Sequence, residues 1–301
     1  MLMVIGLGWV LSRLGFLSRQ ALFDLNRLSY WIGLPCLLVV RIGGASPALS
    51  DVAGLLFVAA GGTALGMALA AVVAWLLGMP SRSLVTFVQG VYRGNLTFVG
   101  LPVVLYAFAG TGAATSAEAA ALIAFAPMVV LYNVAAVALL LAPQRAGLAG
   151  TLRAMGHGLV TNPILIAALV GLAVSLGGWP IPVVLERSLS AVGQMALPLA
   201  LLCIGGSLYT ARIEGRVLWG ALAAGLKVAA VPLLGLGLGL AVGLSAEHLR
   251  IALILLACPT ASASYVLVLQ LRGDAALAST TIVLSYVLAL PAMMAVLALT
   301  Q

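Results

Sequence analysis

The chain has 301 residues, of which 64% are hydrophobic and only 7% charged, with a mean hydropathy of +1.24. Soluble globular domains are about half apolar and a quarter charged, so this composition excludes that class and calls for a bilayer as solvent. A formal net charge of +7 would suit nucleic acid, but the cations are nearly all arginines in short loops between apolar runs. With no basic stripe and no interleaved aromatics, they are expected to set membrane topology rather than to bind nucleic acid.

About 20 apolar residues are needed to cross a ~30 Å hydrocarbon core as helix. On that scale ten segments follow in chain order, near 1–12, 28–44, 52–77, 84–109, 119–141, 160–177, 189–209, 217–242, 249–270 and 276–299. The first is short, ~17 Å at 1.5 Å per residue, which suggests a start further upstream. Connections are short, no stretch offers a separate soluble domain, and no cleavable leader is visible. The longest polar break, 142–159, divides a first half, 1–141, from a second, 160–301. It is expected to be a cytoplasmic linker.

Alternate loops differ sharply in arginine. One set holds Arg13, Arg19, Arg27, Arg82, Arg145, Arg153, Arg212, Arg216 and Arg272; the other holds Arg41, Arg187 and Arg250. The positive-inside bias predicts a multi-pass protein of the cell (inner or plasma) membrane with the richer set in the cytoplasm and both termini outside.

The halves resemble each other. LSYWIGLPCLLVVRIGGAS (28–46) is similar to LSAVGQMALPLALLCIGGSL (189–208), and LLGMPSRSLVTF (76–87) to AVGLSAEHLRIA (241–252). Five spans per half is odd, so the second copy is expected upside down relative to the first. Mirrored halves with two similar-energy states are a transporter signature. The predicted fold class is an all-α polytopic membrane protein, ten transmembrane helices in two inverted five-helix repeats.

The fourth and ninth segments occupy equivalent places, and both contain breakers. The fourth carries Gly94, Asn95, Gly100 and Pro102; the ninth carries Pro259, with Thr260, Ser262 and Ser264 just beyond. Proline removes a backbone donor, glycine weakens the helix, and the freed groups at membrane depth are tolerated where they line a cavity. Two cations also fall ~15 Å deep, Arg93 ten residues after Ser83 and Lys227 eleven after Arg216. Buried charge is costly and marks functional candidates. No carboxylate shares that depth, so these cations are expected to receive an anion from outside the chain; capping of carbonyls freed at the breaks is the competing role, and Lys227 can alternatively be neutral. The substrate-binding candidates are Arg93, Asn95, Thr97, Pro102, Pro259, Thr260, Ser262, Ser264 and Lys227. Asn133, Gln194 and Gln89 are read as interhelical hydrogen-bond partners.

No catalytic set is present: paired intramembrane aspartates, HExxH and a Ser/His arrangement are all missing. Cys36, Cys203 and Cys258 have no metal or disulfide spacing, and His157 and His248 stand far apart. No metal and no cofactor is expected. The glycine-rich LLGLGLGLAVGL lacks the GK[ST] ending of a phosphate loop and reads as close helix packing.

The stretches YRGNLTFVGLPV (92–103), VGQMALPLALLCIGGSL (192–208), LKVAAVPLL (226–234) and ACPTASASYVL (257–267), with SRLGFLSRQALFDLNRLSYWIGLPCLL near the start, resemble the bacterial auxin efflux carrier family. That resemblance implies a transport domain of the third to fifth and eighth to tenth spans, and a scaffold of the first, second, sixth and seventh. It implies that the fourth and ninth spans cross at Pro102 and Pro259 beside the substrate, with elevator-like alternating access and a homodimer through scaffold helices. The family often has asparagine shortly after the ninth-span proline, where this chain has Ala263 between serines. A small organic anion, a carboxylate, is the implied substrate, and the lipid bilayer the surrounding partner. The alternatives are a sodium-coupled symporter of the bile-acid type and, in another class, a receptor or an intramembrane enzyme.

Overall fold

A computed structural model gives the fold and describes residues 2–44, 49–110, 114–141, 156, 160–210, 213, 215–270 and 272–299. Among them the regular structure is helical, apart from one isolated pairing of extended backbone. The expected linker 142–159 (Gly156 excepted), with its Arg145, Arg153 and His157, falls outside the described residues, as do Arg212 and Glu214.

The helices in chain order are α1 (Leu2–Arg13), α2 (Arg19–Leu28), α3 (Leu34–Gly43), α4 (Leu49–Leu76), α5 (Ser81–Tyr92), α6 (Leu101–Phe108) and α7 (Ala114–Leu141). They continue as α8 (Pro163–Gly177), α9 (Val183–Thr210), α10 (Val217–Gly225), α11 (Val231–Ala241), α12 (Ala246–Leu256), α13 (Ala263–Gln270) and α14 (Ala275–Leu299). Among the described residues four stretches are by themselves long and apolar enough to cross a membrane: Val52–Leu76, Val183–Tyr209, Val217–Ala241 and Ala275–Ala298. Met3–Arg13, Leu96–Phe108, Ala120–Ala136 and Pro163–Gly177 are apolar but shorter. The fourth and ninth segments fall short because each divides its length between two helices, α5 and α6 in one case and α12 and α13 in the other.

One departure from the sequence reading is α2. The arginine loop after the first span is a ten-residue amphipathic helix, capped by Ser18, whose side chain accepts from the Ala21 N–H. Leu22 is buried while Arg19, Gln20, Asp24 and Arg27 are exposed. A search on the scale of a membrane span passes over so short and polar a helix.

Three π turns, Ser29–Gly33, Leu96–Gly100 and Leu226–Ala230, each end two residues before a proline: Pro35, Pro102 and Pro232. Proline offers no N–H and presses on the carbonyl four residues back. The wider turn relieves this: the Leu34 N–H reaches Ser29 and the Val231 N–H reaches Leu226, each one residue further than in an α-helix.

The chain packs as two compact units. The first comprises Met1–Ala48, Leu101–Pro127 and Leu159–Ala211, the second Leu49–Gly100, Met128–Gly158 and Arg212–Gln301. Each draws on both halves of the sequence. In the first unit α9 is the hub: Gly193 lies against Leu37 of α3, Gly205 against Ile5 of α1, and Gly206 against Leu22 of α2. An ion pair, Arg41 Nε to Glu118 Oε1 at 3.2 Å, joins the end of α3 to the first part of α7 in this unit.

In the second unit α4 and α11 approach closely, so that a Cβ on Gly62 would lie 3.3 Å from the Gly235 Cα. The two similar stretches found in the sequence adopt the same cap. Gly78 (φ 60°) and Gly243 (φ 66°) are left-handed, and the next N–H closes back in each case, Met79 to the Ala74 carbonyl and Leu244 to the Gly239 carbonyl. This unit also holds the candidate site.

Candidate functional site

Two helices end facing each other inside the second unit. In α5 the last helical bond runs from the Arg93 N–H to the Gln89 carbonyl at 3.1 Å, after which Arg93 leaves the helical region (φ −83°, ψ 89°). In α12 the Ala257 N–H closes on Leu253 at 2.8 Å, and Pro259 two residues on has no N–H to extend it. Gly94 and Thr260 then pair antiparallel. The Asn95 N–H donates to the Pro259 carbonyl at 2.7 Å, and the Ala261 N–H to the Arg93 carbonyl at 2.9 Å. The backbone groups freed by one break are thus satisfied by the other, as burial at membrane depth requires.

Side chains brace this crossing. Thr260 Oγ1 donates to the Gly90 carbonyl at 2.7 Å, and its N–H donates to Ser285 Oγ at 2.9 Å. Asn95 has two tasks. Its Oδ1 accepts from the Phe98 N–H at 3.1 Å, capping the next turn, and its Nδ2 donates to the Tyr286 hydroxyl at 2.6 Å. Ser262 Oγ lies 3.3 Å from the same hydroxyl. Lower down, Ser83 Oγ donates to Asp274 Oδ2 at 2.7 Å and the Asp274 N–H donates to Thr86 Oγ1 at 3.0 Å, tying the start of α5 to the start of α14.

Both cations are buried here, Arg93 at 8% exposure and Lys227 at 0%. Arg93 Nη2 donates to Asn133 Oδ1 of α7 at 2.6 Å. Lys227, on the π turn after α10, donates from Nζ to the Leu256 carbonyl at 2.7 Å, one of the last carbonyls of α12, where a cation also meets the negative end of the helix dipole. This is a carbonyl-capping bond of the kind expected as the competing role for Lys227. Its Nζ also stands beside Gly94, 3.2 Å from where a Cβ there would lie.

The structure thus gathers Arg93, Asn95, Pro259, Thr260, Ser262 and Lys227 around one crossing. Thr97 is half-buried on the following π turn, and its side chain has no hydrogen bond among those described. Pro102 corrects an expectation: the crossing falls at Gly94, eight residues earlier, and Pro102 sits in the first turn of α6 within the other unit. Proline at the start of a helix costs little, whereas Gly94 offers the backbone access that the pairing needs. Ser264 is buried in the first turn of α13, and its hydroxyl has no hydrogen-bond partner among the described residues.

Asn133 is an interhelical partner, of Arg93. Gln194 is not: it donates to Ser190 on its own helix at 3.2 Å. Gln89 is not either, for both its amide atoms lack a partner among the described residues. Tyr286 and Ser285 are site residues that the sequence does not single out, although Ser279, Thr280, Thr281 and Ser285 are the hydroxyl residues that interrupt an apolar run beside Tyr286. Among the described residues no group of acidic, histidine and cysteine side chains could hold a metal.

A family model described as "Membrane transport protein" matches residues 1–297. No curated protein matches the chain.

Proposed function

The chain belongs to the membrane transport protein family, that of the auxin efflux carriers, and on that premise we propose that it carries small organic anions across the cell membrane by elevator-type alternating access. The observation that supports the choice of an anion is the placement of two buried cations, Arg93 and Lys227, next to Gly94 at the crossing. Buried cations at membrane depth are expensive to keep and mark ion or substrate pathways. Arg93 is the direct ligand, because a guanidinium offers a planar fork of donors to a carboxylate. Lys227, fixed on the Leu256 carbonyl, adds positive field rather than a contact. Asn95, Thr260, Ser262 and Tyr286 shape the wall.

Two inverted repeats of five spans, ten crossings in all, are the arrangement this reading needs. The matching caps at Gly78 and Gly243 and the matching breaks at Gly94 and Thr260 support it. Unit composition supports a division of labour. The second unit collects α4, α5, the later part of α7 and α10–α14 and takes the part of the transport domain. The first collects α1–α3, α6, the first part of α7, α8 and α9 and takes the part of a scaffold and dimer surface, so that α6 and the first part of α7 depart from the division the resemblance implied. The arginine bias supports both termini facing away from the cytoplasm.

The test is uptake by proteoliposomes of a panel of labelled mono- and dicarboxylates. Saturable uptake that falls at least about tenfold in Arg93→Ala, a change of ~1.4 kcal/mol in binding, is the expected result. Uptake unaffected by Arg93→Ala in a correctly inserted protein would refute the anion site.

A further inference from the structure

One helical turn before the crossing, three buried side chains on three helices have no hydrogen-bond partner among the described residues: Gln89 of α5 at both amide atoms, Ser264 of α13 and Thr281 of α14. They are 1%, 2% and 1% exposed. Register places them in one layer. Val85, Val268 and Ala278, from the same three helices, pack as a single buried cluster. Gln89 lies four residues from Val85, Ser264 four from Val268 and Thr281 three from Ala278, each step directed toward the crossing. The helices α5 and α14 are in direct contact at this layer, since a Cβ on Gly90 would lie 2.9 Å from Thr281 Cγ2. One turn further on, Thr260 reaches both Gly90 and Ser285.

An amide and two hydroxyls buried without partners are costly unless something polar joins them. The amide brings two donor hydrogens and an acceptor oxygen, and each hydroxyl can donate one hydrogen or accept one. The field around them is positive, because Arg93 follows Gln89 by one turn on α5 and Lys227 stands beside Gly94. Groups that can both donate and accept, set in a positive field, suit an oxygen-bearing group rather than a cation. The layer has no formal charge of its own and rests on an apolar floor, so a neutral oxygen fits it better than a second full charge.

We propose that Gln89, Ser264 and Thr281 form a second subsite, which receives a hydroxyl or carbonyl oxygen carried about one helical turn, ~5 Å, from the carboxylate that Arg93 holds. The subsite reads the far end of the transported anion and so determines specificity. This assignment rests on the anion reading above, and the experiment separates the two.

Binding of butyrate and of 4-hydroxybutyrate to the purified protein, by calorimetry, is compared in the wild type, Gln89→Leu, Ser264→Ala, Thr281→Val and Arg93→Ala. The wild type is expected to bind 4-hydroxybutyrate at least about tenfold tighter than butyrate. Gln89→Leu should erase that preference while retaining butyrate, Ser264→Ala and Thr281→Val should each reduce it, and Arg93→Ala should lose both ligands. If Gln89→Leu does not fold, the two small substitutions carry the test. Equal affinity of the two acids in the wild type, or an undiminished preference in the subsite variants, overturns the subsite and leaves the anion reading standing. Wild-type failure to bind either acid, or unaltered binding in Arg93→Ala, overturns the anion reading and the subsite with it.

Discussion

Gly94 and Thr260, 166 positions apart in the chain, pair their backbones antiparallel where two helices break. The pairing is flanked by the Asn95 to Pro259 and Ala261 to Arg93 hydrogen bonds. Gly94 has little room to be anything else: a Cβ there would lie 3.2 Å from Lys227 Nζ and 3.3 Å from the Cys258 Cβ. Gly94→Ala must therefore displace one of them, and a loss of about 1–3 kcal/mol in stability is expected from the overpacking. A thermal unfolding scan in detergent checks it.

Arg93 is buried and bonded to Asn133. Arg93→Lys keeps the charge but replaces the planar fork with a point donor, so anion affinity should fall several-fold and stay above that of Arg93→Ala. Binding measured on the two purified variants orders them. An affinity for Arg93→Lys equal to the wild type would show that charge alone is used.

Asn95 and Tyr286 should prove coupled. Tyr286→Phe leaves the buried Asn95 Nδ2 without its 2.6 Å partner, which costs about 1–3 kcal/mol. Asn95→Ala removes that bond and the cap at Phe98 together, and a lost cap alone costs about 1 kcal/mol. In a double-mutant cycle the second substitution should cost less than it does alone, by about 0.5–3 kcal/mol. Additive losses would contradict the bond.

Arg272 is the one described non-glycine residue with a left-handed backbone, φ 56°. It closes α13, with the Gly273 N–H on the Val268 carbonyl at 2.8 Å, where Gly78 and Gly243 serve in the equivalent caps. A side chain in that region costs about 1 kcal/mol. Arg272→Gly should raise stability by up to that amount, read as a shift in the unfolding midpoint, and should not lower it.

Topology is open to labelling. With native cysteines removed, single cysteines at Gln20, on the exposed face of α2, and at Gln301 should react with an impermeant reagent from opposite sides. Reaction of both from one side would exclude ten crossings with external termini.

Transport should respond to voltage. A monoanion carried without a cation gains ~2.3 kcal/mol per 100 mV on leaving an interior-negative cell. Flux in proteoliposomes should follow an imposed potassium-diffusion potential and be indifferent to sodium. Flux that ignores the potential and collapses with the sodium or proton gradient would replace this with ion coupling.

Sequence alone established a helical membrane protein, its family through motifs spread along the chain, and two interrupted segments rich in polar groups. Those follow from composition and from local chemistry: an apolar run needs lipid, and Pro259 stops a helix in any setting. The partnerships at the crossing were decided by the tertiary structure. In helices apolar on every side, such as α14, periodicity does not report which face is buried, so Tyr286 gave no sign of meeting Asn95, nor Thr281 of standing beside Gly90. The pairing falls at Gly94, one of the breakers visible in the sequence, rather than at the Pro102 that the family resemblance implied, because Pro102 is absorbed by a π turn leading into α6. Lys227 was legible as a buried cation, but capping and ligand binding differ only in what lies within reach of Nζ. That is set by the end of α12, 29 residues away in sequence.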